Sequence, residues 1–472
     1  MKIHFESQYR QMLADTITPV SIYLKLRDKF AGCIMLESSD YHGNEDSFSY
    51  ICCEPIAKFS LKNLQLVMEY PSLKKMEITL NNRKEALVHW QTFVNNFDYQ
   101  QPLDFKCITN GLFGYMTFDA VQYFDDIEFN PKKQAQQPIP DIHYQAFRYV
   151  IAIDHFRNEL VAFEHLTGGQ DSKLDELMQV INSKNYPSYH FTTEGKENSN
   201  FTDDEFLKVI EKTRDHCYLG DVFQIVPSRR FQQDFKGDEF NVYRCLRSIN
   251  PSPYLFYFDY GNFKIFGSSP ETQIYIKNEG KERKAYIFPI AGTYKRTGDD
   301  KKDAEVAQML YNDPKESAEH VMLVDLARND LSRNGSNVKV EVYKEVQFYS
   351  HVIHLVSKVG GILDQDISTL RVVADTFPAG TLSGAPKYKA MQLIDKYENI
   401  PRGYYGGAIG YLGFNGDFNH AIMIRSFLSM ENTLHYQAGM GVVAKSHLES
   451  EMKEVGNKLA ALRKALKMAT KI

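Results

Sequence analysis

Apolar side chains recur at intervals of three and four along three stretches of the chain, and each such stretch predicts a helix with one buried face. Phe206, Ile210, Thr213 and Cys217 form the first stripe. Thr202-Asp203-Asp204-Glu205 just before it is a capping box, whose hydroxyl and carboxylate satisfy amides the helix leaves orphaned, and Gly220 is placed to end the helix. A second helix opens at Asp313-Pro314, an N-cap followed by proline at the first helical position. It runs through Glu316, Glu319 and His320 into the run Val321 to Leu326, which reads as too apolar to be exposed. The third is C-terminal: Met452, Val455, Leu459, Leu462 and Leu466 must face a core, with Glu451, Glu454 and Lys458 on a neighbouring stripe.

Elsewhere the pattern is that of strands. Gly32 to Leu36, Phe147 to Ile153, Val222 to Pro227, Tyr349 to Val359 and Gly403 to Phe414 are rich in aromatic and β-branched residues. Asn182 to Asn200 is the most polar and least periodic stretch and reads as a connection between two halves. This divides the chain into 1–185, a polar connection over 186–200, and 201–469. Periodicity alone says only mixed α and β, with no repeat of solenoid length.

Composition narrows the function classes. With 43% hydrophobic and 24% charged residues in 472, the chain is globular. Its 55 basic and 60 acidic residues leave a net charge of −5, too weak a field to gather nucleic acid. Met1 to Phe30 contains no cleavable apolar segment and no apolar run is long enough to cross a bilayer, so a soluble cytoplasmic protein is expected, with no membrane partner. Cys33, Cys52, Cys53, Cys107, Cys217 and Cys245 show no metal-ligand spacing and are expected as reduced, buried thiols.

Four groups of residues carry candidate chemistry. Glu316/Glu319 and Glu451/Glu454 are two E-x-x-E pairs, each projecting from one side of a predicted helix. Either pair alone reads as a solvated face. If the four converge, a divalent cation must neutralise them, and oxygen ligands favour Mg²⁺. His351 and His354 stand three apart without cysteines nearby, which suits a hydrogen-bonded core histidine better than zinc. Arg425 is a lone cation in an apolar strand and demands an anion, either an internal side chain or a ligand carboxylate. Gly439-Met440-Gly441 leaves backbone N–H groups open to a ligand.

Longer motifs join these groups. Gly220-Asp221-Val222-Phe223-Gln224-Ile225-Val226-Pro227-Ser228-Arg229-Arg230, Gly267-Ser268-Ser269-Pro270-Glu271, Pro289-Ile290-Ala291-Gly292-Thr293, Glu319 to Asp330, Thr376 to Lys387 and Tyr405 to Tyr411 occur in this order. Together they resemble the chorismate-utilising enzymes, most closely the family of anthranilate synthase large (aminase) subunits. The likeness runs almost continuously from Gly220 to Ala469. Upstream it is thinner: Thr18-Pro19-Val20-Ser21, Leu36-Glu37-Ser38-Ser39 and Asn250-Pro251-Ser252-Pro253-Tyr254 resemble that family's entry segment and tryptophan-binding elements.

The resemblance implies an α+β fold in which two large, mainly antiparallel sheets pack face to face with helices outside, the two halves of the chain intertwined. It implies Mg²⁺ held directly by Glu319 and Glu454, with Glu316 and Glu451 acting through water. It further implies Arg425 and Tyr405 on the enolpyruvyl carboxylate of chorismate, with Lys458, Thr381 and the Gly439 to Gly441 backbone on its carboxylates. Ala291, Gly292 and Thr293 complete the substrate wall. Glu271 resembles the acid that protonates the departing C4 hydroxyl, and His354 the residue serving pyruvate release; Thr381 stands with them among the catalytic residues. Glu37, Ser38, Asn250, Pro251, Ser252 and Tyr254 resemble a tryptophan inhibitor site, or are ordinary turn and core residues.

The implied reaction is the lyase conversion of chorismate and ammonia to anthranilate and pyruvate, the first committed step of tryptophan biosynthesis. No glutaminase motif is recognised in the chain, so a separate glutamine amidotransferase subunit is expected to supply the ammonia. Two positions choose among relatives. Gln224 stands where water-adding members carry a lysine base, and glutamine cannot take a proton from water. Ala291 stands where aminodeoxychorismate synthases often carry a nucleophilic lysine. The alternatives are the aminodeoxychorismate synthase large subunit and a catalytically silent tryptophan-sensing protein.

Overall fold

The computed structural model describes residues 2–38, 47–99, 105–133, 138–349 and 352–472; Ser39, Ser350 and His351 of the motifs above lie outside the described residues. Two long strands, Phe48–Lys62 and Ile142–Asp154, run antiparallel along almost their whole length. Their register shifts between Pro55 and Ala57, where proline has no N–H to give the ladder. The two ends of this pair feed two different sheets.

At one end Ile34–Glu37 pairs with Phe48–Lys62, followed by Tyr254–Asp259, Phe263–Ser269, Ser426–Met430, Thr433–Gly439, Ser228–Gly237 and Phe191–Ser199. At the other end Gly111–Met116 pairs with Ile142–Asp154, followed by Ala408–Gly413, Phe418–Ile422, Thr272–Glu279, Glu282–Ile287 and Val352–Leu363. Every one of these pairings is antiparallel. Each sheet therefore joins strands from before the polar stretch to strands from after it, and the halves are intertwined.

Side-chain alternation gives the layers. Ile34, Leu36, Cys52, Phe256 and Phe258 point into a core shared with Phe113, Phe147 and Ile409 of the second sheet. Their neighbours Met35, Ile51, Cys53 and Tyr257 point the opposite way, against Phe206, Leu246 and Leu459 of helices Asp203–Tyr218, Phe240–Ile249 and Leu448–Ala469. The outer face of the second sheet meets Trp90, Phe93, Val372 and Val373 from helices Glu85–Asn95 and Thr369–Thr376. The order is helix, sheet, sheet, helix. Each large apolar side chain buried between layers contributes about 1.5–3 kcal/mol.

The predicted helices form with their predicted ends. Thr202 Oγ1 accepts from Glu205 N at 3.3 Å, Glu205 Oε2 accepts from Thr202 N at 2.8 Å, and Gly220 has φ +79° just beyond the helix. Val455, Leu459, Leu462 and Leu466 are buried and Met452 packs partly against them.

Several expectations are corrected. Val321 is 50% exposed, because its helix turns Leu323, Val324 and Ala327 to the sheet instead. Only Gln224–Ile225 of the Val222 to Pro227 strand is paired, with Gly384–Ala385, as the chain crosses between elements there. Gly403 to Gly406 forms turns and the strand begins at Ala408. The polar stretch Asn182 to Asn200 contains the strand Phe191–Ser199, whose ladder partner is Ser228–Gly237. Its outward side chains are mostly exposed, so a backbone partner orders it and no apolar alternation marks it. The six cysteines are free and buried. Among the described residues no helix is long and apolar enough to cross a membrane.

Candidate active site

A cleft of about 1340 Å³ opens between helices Pro314–Ser332 and Leu448–Ala469 and the ends of several strands. Asp313 caps the first helix by accepting from Lys315 N at 2.8 Å and Glu316 N at 3.1 Å. Glu316 thus lies in the first turn, where the helix dipole favours anions, and Glu319 follows one turn later; both line the cleft. Burial, then the nearby Glu319 charge, with Glu454 also contributing, push Glu316 above the usual carboxylate range.

Glu454 faces them from the C-terminal helix, paired at 2.8 Å with Lys458 Nζ, which also donates to Gly439 O at 2.9 Å. Glu451 lies deeper, 4% exposed, with Oε2 buried and without a partner. Burial raises its carboxyl, opposed by a hydrogen bond from Ser446. Two glycines make room for this acidic set. Gly292 has φ +67°, and a Cβ there would come within 3.2 Å of Glu316 Oε2. A Cβ at Gly441 would collide with Gln224 Nε2, which donates to Glu319 Oε1 at 2.9 Å.

Among the described residues, no three histidine, cysteine, aspartate or glutamate side chains form a group that could hold a metal ion by themselves. The donors are all oxygens and include one orphaned buried carboxylate oxygen. Such a set fits Mg²⁺, which usually takes one or two carboxylates and completes its octahedron with water and substrate.

The same cleft is lined by Glu271, His354, Thr381, Tyr405 and Arg425. Arg425 has φ +49°, a conformation that costs an ordinary residue about 1–2 kcal/mol. Among the described residues its guanidinium has no hydrogen-bond or ion-pair partner, and the Glu271 carboxyl is the anion whose charge it feels. The internal ion pair left open by the sequence is therefore not formed among the described residues. Burial raises Glu271 to about 7, against the opposing influence of Thr381, Lys458 and Arg425. Thr381 Oγ1 is buried near that carboxyl yet forms no hydrogen bond of ordinary geometry. His354 Nδ1 donates to Gly292 O at 2.6 Å, and burial lowers the imidazole to about 4, so it is neutral at physiological pH. Tyr405 is buried, with its hydroxyl 3.3 Å from where a Cβ on Gly439 would sit. Ala291 and the Gly292 backbone line the same cleft, and Thr293 continues the Ile290–Lys295 strand.

A buried ionic network lies beneath the cleft. Arg402, 2% exposed, pairs with Glu398 at 2.6 Å and donates to Leu382 O and Val226 O. Glu398 Oε1 also accepts from Ser228 N and Oγ, and Asp119 Oδ2 accepts from Gly403 N at 2.7 Å. Four chain segments are pinned behind the cleft by these bonds.

A family model described as chorismate binding enzyme matches residues 33–464. The chain belongs to the chorismate binding enzyme family. It is 35% identical to anthranilate synthase component 1 of Aquifex aeolicus, with 98% of this chain and 94% of that protein covered. It is 36% identical to anthranilate synthase component 1 of Acinetobacter calcoaceticus, over 98% and 95%. The solved anthranilate synthase component I of Streptococcus pneumoniae superposes with TM-score 0.78 at 28% identity, over 96% of this chain and 99% of that one. The menaquinone-specific isochorismate synthase of Escherichia coli shares the fold, with TM-score 0.74 at 19% identity over 98% and 95%.

Within this chorismate binding enzyme, the structure brings together all the proposed catalytic residues and three of the four glutamates along the cleft, with Glu451 behind Glu454. The tryptophan-type residues lie to one side. Glu37 is buried, held by Arg247 Nε at 2.9 Å and Nη2 at 2.9 Å and by Tyr243 Oη at 2.6 Å. Asn250 Nδ2 donates to Ser252 Oγ and Ser268 Oγ, each at 3.3 Å, and Asn250 also lines the cleft. Tyr254 Oη donates to Asn419 Oδ1 at 3.0 Å, on the strand where Leu255 pairs with Glu37. Ser38 ends the first described segment and Pro251 follows Asn250 in the turn.

Sequence reasoning missed several residues of the cleft. Lys295, Arg296, Lys315 and Lys464 add positive charge to its lining, and Gln437 and Asn457 add amides. Asn457 lies one turn beyond Glu454 and could have been found from helical spacing. Glu398 and Arg402 stand four apart on a segment with no apolar periodicity, and only their depth in the fold distinguishes them from a surface pair.

Proposed function

We propose that the chain is the large subunit of an anthranilate synthase, a lyase converting chorismate and ammonia to anthranilate and pyruvate at the first committed step of tryptophan biosynthesis. Similarity along 98% of the chain to relatives named anthranilate synthase component 1 supports this reading. The observation that carries it is Arg425, without a hydrogen-bond or ion-pair partner among the described residues, held in a strained backbone in the same cleft as an acidic set and near Glu271. A dicarboxylate with a leaving hydroxyl answers all three features. Residues 201–469 form the chorismate-binding part and 1–185 carry regulatory elements, with 186–200 connecting them.

Arg425 and Tyr405 hold the enolpyruvyl carboxylate, and Lys458 with the Gly439 to Gly441 backbone and Thr381 hold the substrate's carboxylates. Glu271, protonated up to about pH 7, gives its proton to the C4 oxygen as ammonia bonds to C2. Neutral His354 serves the step that removes the C2 proton and releases pyruvate. Glu319 and Glu454, with Glu316 and Glu451 in support, would hold Mg²⁺, which would supply positive charge for the substrate carboxylate. A glutamine amidotransferase partner, the component 2 that the relatives' name implies, supplies ammonia in a cytoplasmic complex.

Tryptophan, as inhibitor, is assigned to Glu37, Ser38, Asn250, Pro251, Ser252 and Tyr254. The pairing of Leu255 with Glu37, and the position of Asn250 at both this cluster and the cleft, support a route from one site to the other. Titration calorimetry with tryptophan tests it; no binding heat at millimolar tryptophan removes the assignment.

The central test is to give the purified chain chorismate, Mg²⁺ and an ammonium salt at alkaline pH, and to follow product fluorescence with chromatography. Anthranilate and pyruvate are expected together and are expected to vanish with EDTA. A non-fluorescent amino product would assign the aminodeoxychorismate synthase reaction instead. No turnover in a folded sample, even with the glutaminase partner, would leave a tryptophan-sensing protein.

A further inference from the structure

Glu271, Leu323 and Thr381 line both the cleft and a second, smaller cavity of about 40 Å³. Gln273, Ala327, Asp330 and Thr376 line this rear cavity. Gln273 Oε1, on one of its lining residues, is buried without a hydrogen-bond partner. The Gln273 amide is oriented by Nε2, which donates to Thr376 Oγ1 at 3.4 Å, while Thr376 donates to Val372 O at 3.0 Å. Its carbonyl oxygen is thus left over. An unmet buried acceptor costs about 1–3 kcal/mol, so this one beside a void calls for a donor inside it. A water molecule needs about 10–15 Å³ of such space, which gives this cavity room for about two or three.

At its outer end Asp330 is paired with Lys387 Nζ at 2.7 Å, and Lys387 also donates to Thr376 O at 2.8 Å. Their side chains are 10% and 15% exposed, so this end of the cavity reaches solvent.

We propose that the rear cavity holds ordered water linking Asp330 to Glu271, and that this water returns a proton to Glu271 after each turnover. The inference rests on Glu271 being the acid of the proposed reaction. In that step the C2–N bond forms and the C4–O bond breaks, its electron pair leaving on oxygen, which takes the Glu271 proton and departs as water. The ammonium formed at C2 releases one proton to solvent, and Glu271 regains one from solvent, so the protons balance. Asp330 suits the outer position because burial holds its carboxyl above the usual range despite Lys387.

A crystal structure of the full chain that resolves ordered water is expected to show density bridging Gln273 Oε1, Thr381 Oγ1 and Glu271; an empty cavity overturns the proposal. Kinetics supply the second test, with chorismate, Mg²⁺ and ammonium. Asp330→Asn and Ala327→Val, which fills the cavity without changing charge, are expected to leave the first turnover at its normal rate and slow the steady state about tenfold. A mere packing defect would slow both phases alike. Equal effects on both phases, or none, in a folded Ala327→Val overturn the proposal. Glu271→Gln run in parallel separates the two readings: a normal first turnover there removes Glu271 as the acid, whatever the water does.

Discussion

Gln224 and Glu319, 95 residues apart in the chain, are joined by a hydrogen bond of 2.9 Å from Nε2 to Oε1. The bond turns one oxygen of a proposed metal ligand away from free rotation and fixes which carboxylate face meets the cleft. Partners behind metal ligands typically contribute 10–100-fold in metal affinity. Gln224→Leu is therefore expected to raise the Mg²⁺ concentration for half-maximal anthranilate formation about tenfold or more, with little change in melting temperature. An unchanged Mg²⁺ dependence would separate Gln224 from the metal.

Arg425 makes the opposite kind of prediction. Its guanidinium has no hydrogen-bond or ion-pair partner among the described residues and its backbone is left-handed, so no such bond offsets the strain. Arg425→Gly relieves the strain and is expected to raise stability by about 1 kcal/mol, read as a higher melting temperature. The same change loses a charge-assisted carboxylate bond worth about 1.5–3 kcal/mol, raising KM for chorismate by roughly 10- to 150-fold. A destabilised Arg425→Gly would mean that an internal anion holds the arginine after all.

The Glu271 carboxyl sets a pH limit. An ordinary glutamate loses its proton near pH 4.3, whereas burial keeps this one protonated to about 7. With free ammonia held constant, kcat/KM is expected to fall about tenfold per pH unit above about 7 as the acid is lost. The folded chain holds this proton where the unfolded chain has released it, so stability also falls as pH rises from about 4 to about 7. Glu271→Gln removes its own share of that slope together with the activity, leaving the share of Asp119, which burial also raises to about 7, and chemical denaturation across this range checks it.

Glu398 and Arg402 are a buried pair, 4% and 2% exposed at the side chain. Removing one partner leaves the other charge uncompensated, and Glu398→Ala is expected to cost about 3–5 kcal/mol in urea denaturation. Arg402 holds Leu382 O and Val226 O, so the loop carrying Thr381 loosens as well. A loss below about 1 kcal/mol would show the pair to be no stronger than a surface bridge.

Local order was written plainly in the sequence. The Thr202 to Glu205 capping box, the Asp313-Pro314 start and the Val455 to Leu466 stripe depend on neighbours within one or two turns, and each formed where the pattern put it. Motif order likewise identified the family and the set of residues to look for. Contacts without a local signature were not legible. The Phe191–Ser199 strand owes its order to a ladder partner about 40 residues on, since its own side chains are polar and mostly exposed.

The sequence by itself determined which elements form and which chemical groups are present, because helix caps, apolar periods and motif residues act over a few neighbouring positions. Only the tertiary structure decided that Gln224 orients Glu319, that Arg425 forms no ion pair among the described residues, and that Glu271 lines both the cleft and a smaller cavity. Burial, and the electrostatics that follow from it, depend on which distant segments meet. Both sheets here are built from strands of both halves, so no local stretch of sequence carries that information.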